Sequence, residues 1–463
     1  VSVQTGREVV VVGAGPAGLA HAFWHLRDFP ADRLTVLERA DTPGGWVRSE
    51  TVQGYLCELG PQAVRPGAAL DALIDALGFG AQVVDAEARA QRRWIGRGGA
   101  LLAVPGHPLQ LLTTRLLPFA AKLRLLGERF VRSAAPTSES VAAFARRRFG
   151  ARVVPLVQAM VGGIFAGDAE QLEVGSAFPT LAAAEREHGS VLRGLAARSS
   201  ASRRRAGGAV RPRAALQTFA GGMQALCARL HQALGERVRV RNGARAVRHL
   251  GGGFDVQLDD GAHLRADRLV LACPAPAAAV LLADLDRPLA DELAAIPFAS
   301  LASVWLGGPL PAPPPTLQGF GFLLEPGEPG PVLGAIYCSQ LFPDHAPAGH
   351  ALLRVMLGGV RHPGAVDRSD SDLAAAAIAA VRRYTGVAAE WPFVRVARVR
   401  SAIPQYDLGH QARLLRIEQR LAQHPGLCLC GNSYRGIALA TQLGRDGVLP
   451  GADYTVGPAS SPP

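Results

Sequence analysis

At 463 residues the chain exceeds what one compact core normally holds, so two or three domains are expected. Hydrophobic residues make up 48% and charged residues 19%, which excludes a chain disordered throughout. A formal charge of +11 admits nucleic acid, an anionic membrane surface or an acidic substrate as partners, but no aromatic-basic recognition module accompanies it, so no nucleic acid is expected.

The apolar run Val9 to Val12 reads as a strand and leads into Gly13-Ala14-Gly15-Pro16-Ala17-Gly18. An alanine-rich helical stretch follows from Leu19, then a second strand, Leu34 to Leu37, ending at Glu38. Together they make a dinucleotide-binding βαβ unit: glycines let backbone N–H groups approach a pyrophosphate at a helix N-terminus, and the carboxylate can accept from a ribose. No leader-like segment precedes the strand, so a cytoplasmic protein is expected. Gly44-Gly45-Trp46-Val47-Arg48-Ser49 comes next; a paired glycine there lets the chain turn back under the phosphates, where Arg48 can neutralise charge.

Leu70, Leu73, Ile74 and Leu77 recur at helical spacing, giving a helix over 67–77 that stops before Gly78. A second helix is expected over Leu109 to Val131, where leucines alternate with Arg115, Lys122, Arg124 and Arg129; such a helix packs on a core or lies in a membrane interface. The Ser- and Arg-rich stretch 196–213 reads as an exposed linker. Beyond it Gly221-Gly222-Met223 opens a helix through Leu234, Val238 to Val240 starts a strand, 254–258 and Leu264 form a hairpin around Asp259-Asp260-Gly261, and Arg268 to Ala272 follows as another strand. This return to alternating elements marks a second piece of the nucleotide domain.

Pro309 to Pro315 is a break, after which 319–324, 332–337 and 352–357 read as strands of a separate antiparallel sheet able to wall a large apolar pocket. Leu427 to Asn432 reads as a closing strand, with Cys428 and Cys430 both facing a core, and Gly436 to Ala440 as a helix entry. The six cysteines lack metal-site spacing and read as reduced thiols. The longest apolar run, Leu269 to Leu282, is interrupted by Pro274 and Pro276 and is too short to span a bilayer.

With these segments in view the chain resembles the oxygen-dependent, FAD-containing protoporphyrinogen oxidases of haem biosynthesis, within the flavin amine oxidase superfamily. The resemblance rests on 44–49, Glu58-Leu59-Gly60-Pro61, Glu139-Ser140-Val141 with Arg147-Arg148-Phe149-Gly150, Gly163 to Asp168, Ala177-Phe178-Pro179-Thr180-Leu181, Ala184-Glu185, Pro404-Gln405-Tyr406 and Gly431 to Gly436. It implies an α/β fold: a Rossmann-like FAD-binding domain with an antiparallel-sheet substrate domain and a helical membrane-binding domain. The FAD domain would comprise 1–85, 214–290 and 396–463, the substrate domain 86–105 and 291–395, and the membrane domain 106–213. Around FAD the resemblance places Gly13, Ala14, Gly15, Pro16, Ala17, Gly18, Glu38, Arg39, Gly45, Trp46, Gly60, Pro61, Gln62, Ala63, Ala246, Asn432, Ile437, Ala438 and Leu439. Around a tetrapyrrole substrate it places Arg93, as partner of a propionate, and Gly167, Phe320, Leu323, Ile336 and Met356.

Three departures stand out: Gln62 stands where a Gly-Pro-Arg-Gly version of the motif is familiar, Ala440-Thr441 replaces a usual Asn-Asp, and the residues after Gly444, including Asp446-Gly447-Val448-Leu449-Pro450, do not continue an alanine-rich helix. The implied activity is protoporphyrinogen IX oxidation with oxygen as acceptor and hydrogen peroxide as product, by a protein attached peripherally to the inner face of the cell membrane; a homodimer is compatible. Coproporphyrinogen III, oxidised by the same chemistry, is the alternative substrate. No catalytic acid or base and no metal are assigned. An amine oxidase is disfavoured because Lys122, the sole lysine, falls in the leucine-rich segment, and an inactive membrane-associated flavoprotein is the reading from another class.

Overall fold

Four consecutive valines, Val9 to Val12, are all buried, and their side chains alternate between two cores: Val9 and Val11 pack with Val36, Val270 and Cys428, whereas Val10 and Val12 pack with Leu37, Leu269 and Leu429. A strand covered on both faces suits a parallel sheet, and these valines form its middle. The computed structural model describes residues 6–107, 110–132, 138–205, 215–445 and 448–450. In it Glu8–Val12 pairs in parallel with Arg33–Leu37 on one side and Arg268–Leu271 on the other, and Leu427–Cys430 adds in parallel beyond. Six strands from three distant parts of the chain thus make one sheet, with helices Pro16–Asp28, Ala68–Leu77 and Gln224–Leu234 on one face. The hairpin expected at 254–264 belongs to a small antiparallel sheet of Ala244–Leu250, Gly253–Leu258 and His263–Ala266.

The second large sheet has seven strands in the order Phe393–Pro404, Phe298–Pro309, His350–Gly358, Val332–Ile336, Gly321–Leu324, Arg93–Arg97 and Ala100–Ala103. It is mixed rather than wholly antiparallel, because Arg93–Arg97 joins Gly321–Leu324 in parallel. One face carries Phe322, Val355 and Val304 against helix Asp370–Thr385. The other is covered in part by helix Val154–Phe165, where Gly163 permits close approach: a Cβ there would stand 2.5 Å from the Leu323 side chain.

Three expectations are corrected. The single helix over 109–131 is broken into Gln110–Thr113, Phe119–Leu126 and a 3-10 turn, Gly127–Phe130, because Pro118 lacks an N–H and disfavours helical geometry before it; Leu109 lies outside the described residues. The linker expected from 196 is helical to Arg205, as part of Val191–Arg205, since its alanines and arginines are good helix formers and no glycine or proline intervenes; 206–213 lie outside the described residues. The helix entry after Gly436 is one 3-10 turn, Leu439–Gln442, where the Thr441 hydroxyl donates to Ala438 O at 2.6 Å and the Gln442 amide donates to Arg435 O at 3.0 Å. Side chains there satisfy the carbonyls that a helix would have used.

The helical region is tied together by charge. Arg148 is fully buried and donates to Glu128 at 2.7 Å, Glu185 at 3.3 Å and the carbonyls of Val131 and Gly189, while Arg147 bridges Glu139 and Glu185. The Glu139 and Arg147-Arg148 segments therefore serve to hold helix Val141–Phe149 against its neighbours.

Candidate functional site

Strand Glu8–Val12 ends at Gly13, whose φ of +106° and an added Cβ 2.9 Å from Ala272 O restrict the position to glycine. At Gly18 a Cβ would stand 2.0 Å from Gly13 O, so this glycine closes the turn. Gly15 has no protein atom near its Cβ position and caps helix Pro16–Asp28, leaving a helix N-terminus open to an anion, with Ala14, Pro16 and Ala17 in its wall. The Glu38 carboxylate accepts from Ala14 N and Ala40 N, both at 2.9 Å, which pins the end of the second strand to the glycine turn.

Gly45 (φ +56°) lies against that turn, its Cβ position 3.2 Å from Gly15 Cα, and at Gly60 a Cβ would meet Trp46 O at 1.9 Å. The Arg48 Nε is buried without a hydrogen-bond partner among the described residues. A cradle open above Gly15, closed elsewhere to any Cβ and flanked by an unsatisfied cationic donor fits the pyrophosphate of a long dinucleotide.

The other expected cofactor residues extend from this cradle. Arg39 does not point freely at a ribose: its guanidinium binds Asp259 at 2.9 and 3.2 Å and Ala244 O at 2.9 Å, tying the strand end to the small sheet that carries Ala246. Trp46 is half exposed. Pro61 leads to Gln62, which is buried 3.2 Å from His345 Nδ1 and accepts from the Cys338 thiol at 3.4 Å, while Ala63 packs in the same cluster. Burial lowers His345 to about 4, so this contact is neutral at physiological pH. At the C-terminal end Asn432 O accepts from the Tyr406 hydroxyl at 2.5 Å, Ile437 packs near Phe165, and Leu439, after Ala438, packs back on the first core.

The second half of the site is one face of the seven-stranded sheet. Register sets Arg93, Gly321, Ile336, Arg354 and Trp305 in one cross-strand row, and Ile95, Leu323, Gly334, Met356 and Ser303 in the next. Opposed residues share a face, so Arg93, Leu323, Ile336 and Met356 lie on one face of the sheet. Phe320 joins them, with the Arg93 guanidinium 5.5 Å from its ring centroid. Burial, and then the charge of Arg65, lower the Arg93 pKa. Gly167 borders a cavity of about 150 Å³ with Gln158, Leu333, Arg361 and His362, and Gln405 Oε1 stands 2.4 Å from where a Gly167 Cβ would be.

Sequence reasoning missed Arg354, Ser303 and Trp305. Arg354 donates to Gly60 O at 2.5 Å and to Ser303 Oγ at 3.1 Å, so it joins the sheet face to the cofactor loop. Its signal was an arginine on the Met356 side of the otherwise apolar strand 352–357. Glu58, at the head of the 58–61 motif, is fully buried, accepts from Met223 N at 2.8 Å and Ser49 Oγ at 2.7 Å, and burial raises it to about 7. Lys122 sits on helix Phe119–Leu126, on neither half of the site. Among the described residues no group of acidic, His and Cys side chains could hold a metal.

Residues 16–442 match the family described as Flavin containing amine oxidoreductase. The chain belongs to this family. Among the relatives of this amine oxidoreductase are coproporphyrinogen III oxidase of Bacillus subtilis, 27% identical over 94% of the chain and 95% of the relative, and human protoporphyrinogen oxidase, 34% identical over the same shares. The crystal structure of an Exiguobacterium protein superimposes with a TM-score of 0.79 at 26% identity, covering 94% of this chain and 96% of its own. The fold is that of the flavin amine oxidases, the cofactor is FAD, and the protein is an oxidoreductase.

Gly15 and Gly18 separate binding from folding. Gly15→Ala is expected to unfold at the wild-type denaturant midpoint yet retain less than a tenth of the FAD, whereas Gly18→Ala is expected to lower the midpoint as well, as read by denaturation and flavin absorbance.

Glu58 supplies a pH test. Its native pKa lies above the ordinary value, so the folded state holds the proton more tightly; stability is intact below about pH 4.5 and falls as pH rises towards 7. Glu58→Gln removes this dependence, and its stability relative to wild type is expected to improve by about 2 kcal/mol between pH 5 and pH 8 in urea titrations.

Proposed function

We propose that the protein oxidises a porphyrinogen, with protoporphyrinogen IX as substrate and protoporphyrin IX as product. The observation that carries this reading is the apolar sheet face of Leu323, Ile336 and Met356, ending at Arg93 and joined through Arg354 to the glycine loop of the FAD cradle. Bound FAD would supply three two-electron oxidations, each taking a hydride from the tetrapyrrole as a proton is lost to solvent, with the two electrons and two protons leaving on oxygen as hydrogen peroxide.

The chain's own residues bind and orient. Leu323, Ile336, Met356 and Phe320 shield the macrocycle from water and Arg93 holds a propionate, while Gly167, whose missing side chain makes room for Gln405, borders the neighbouring cavity. Pyrrole protons leave to solvent, so no side-chain acid or base is required. The same reading groups 1–85, 214–290 and 396–463 around FAD and 86–105 with 291–395 around the substrate, and gives 106–213 to the membrane.

Coproporphyrinogen III, with two further propionates, is the second reading. It is favoured by the Bacillus subtilis relative and by two more cations: Arg65, whose charge acts on Arg93, and Arg361, which follows Val360, itself donating to Ala166 O at 2.8 Å beside Gly167. A parallel fluorescence assay with both porphyrinogens decides between them, because only the oxidised products fluoresce strongly; no product from either overturns the proposal. Arg93→Ala is expected to raise KM at least tenfold with FAD content unchanged, and loss of FAD would show that the residue serves the cofactor instead.

The membrane contact we assign to Phe119, Leu123, Leu126 and Phe130, whose exposures are 73, 52, 51 and 74%, with Lys122, Arg124 and Arg129 among them. Exposed apolar side chains amid cations suit the headgroup boundary of anionic lipid at the inner face of the cell membrane. No helix among the described residues is long and apolar enough to cross a membrane. Phe119→Ser with Phe130→Ser is expected to cut co-flotation with anionic liposomes at least fivefold without altering the flavin spectrum; wild-type protein that does not float would return this surface to ordinary packing.

A further inference from the structure

Arg354 is a charged residue of the sheet face whose chemistry is not used by substrate packing. Its side chain is almost wholly buried: the guanidinium donates to Gly60 O at 2.5 Å, more weakly to Leu59 O at 3.5 Å, and to Ser303 Oγ at 3.1 Å from both Nε and Nη2. It also stacks over the Trp305 indole, 5.1 Å from the ring centroid. Every hydrogen-bond acceptor it meets is neutral, and among the described residues no carboxylate lies within 4.0 Å of it. The acidic groups whose charge would act on it are the Cys338 thiol, Glu58 and the Cys57 thiol. Burial keeps both thiols protonated, and the Glu58 carboxyl is turned to Met223 N and Ser49.

The fully buried Arg148, by contrast, is compensated: it sits on Glu128 and Glu185. A guanidinium taken out of water with only neutral partners is unfavourable unless a negative charge meets it in some working state of the molecule. Arg354 grips the carbonyl ends of peptides 59 and 60, in the loop packed on Trp46 and beside the FAD cradle, while its neighbours along the strand and across it, Met356 and Ile336, face the substrate side.

We propose that Arg354 is a positioning and electrostatic residue for the cofactor: it fixes the 59–60 peptides and supplies the uncompensated positive charge that stabilises the flavin when it becomes anionic on accepting a hydride. The inference rests on FAD binding, and it stands whichever tetrapyrrole is oxidised.

Sulfite tests it without turnover. The sulfur lone pair forms a bond to the oxidised flavin, the ring takes up the electron pair and becomes negatively charged, and no other reactant is consumed. In FAD-loaded protein Arg354→Gln is expected to weaken sulfite binding at least tenfold, with Arg354→Lys within threefold of wild type. Ser303→Asp leaves Arg354 in place but sets a carboxylate against it, and is expected to produce the same tenfold loss with FAD retained. This variant decides the matter if Arg354→Gln cannot hold the cofactor. Wild-type sulfite affinity in FAD-loaded Arg354→Gln or Ser303→Asp overturns the proposal, including the case in which only the KM for substrate rises.

Discussion

The constraint on which the rest of the molecule depends is the approach of three glycine-bearing segments, 13–18, 44–46 and the loop at Gly60, so close that side chains have little or no room between them. Gly18 meets Gly13 O, Gly60 meets Trp46 O, and Gly45 meets Gly15 with nothing between the backbones. Because backbone packs on backbone, N–H groups rather than side chains line the cradle, and the pyrophosphate of a dinucleotide can be held without a dedicated lysine. The turn is held from below by a strand whose valines are locked between two cores, and from the side by Glu38, which accepts from two backbone amides.

The second sheet meets that cradle through a charged side chain. Arg354 reaches from the centre of the sheet to the Gly60 peptide, while Gln62 and His345 make an uncharged contact near the end of the same loop. Where an arginine is familiar in the related motif, this chain has Gln62 in a buried, neutral setting, and a buried arginine stands instead on the sheet. The two halves of the site are therefore joined by hydrogen bonds, those of Arg354 to backbone carbonyls and that of Gln62 to a histidine ring, which fix distance and angle more tightly than apolar packing alone.

Much of this was legible in the sequence because it depends on local pattern. The glycine fingerprint, the terminal acid, the helix over 68–77 ending at left-handed Gly78 and the hairpin around Asp259 all follow from turn chemistry and periodicity. The reading went astray where a pattern had two solutions. Leucines at helical spacing ran through Pro118, and the Ser- and Arg-rich tract after Ala196 carried helix formers as well as loop formers. Strands Arg93–Arg97 and Phe393–Pro404 were missed because their charged residues break a clean alternation.

The sequence by itself determined the cofactor turn, since φ sign and Cβ clearance are properties of each glycine and its neighbours in the chain. Through resemblance it also implied that Arg93, Leu323, Ile336 and Met356 line one substrate surface. Only tertiary structure decided how they share it. Strand register across Arg93, Gly321, Ile336 and Arg354 places side chains from separated segments on one face, and a shift of one residue would have turned them to the other. The charge balance of Arg354 was likewise undecided until folding, because whether a guanidinium meets a carboxylate, a carbonyl or water is a matter of which distant segments surround it.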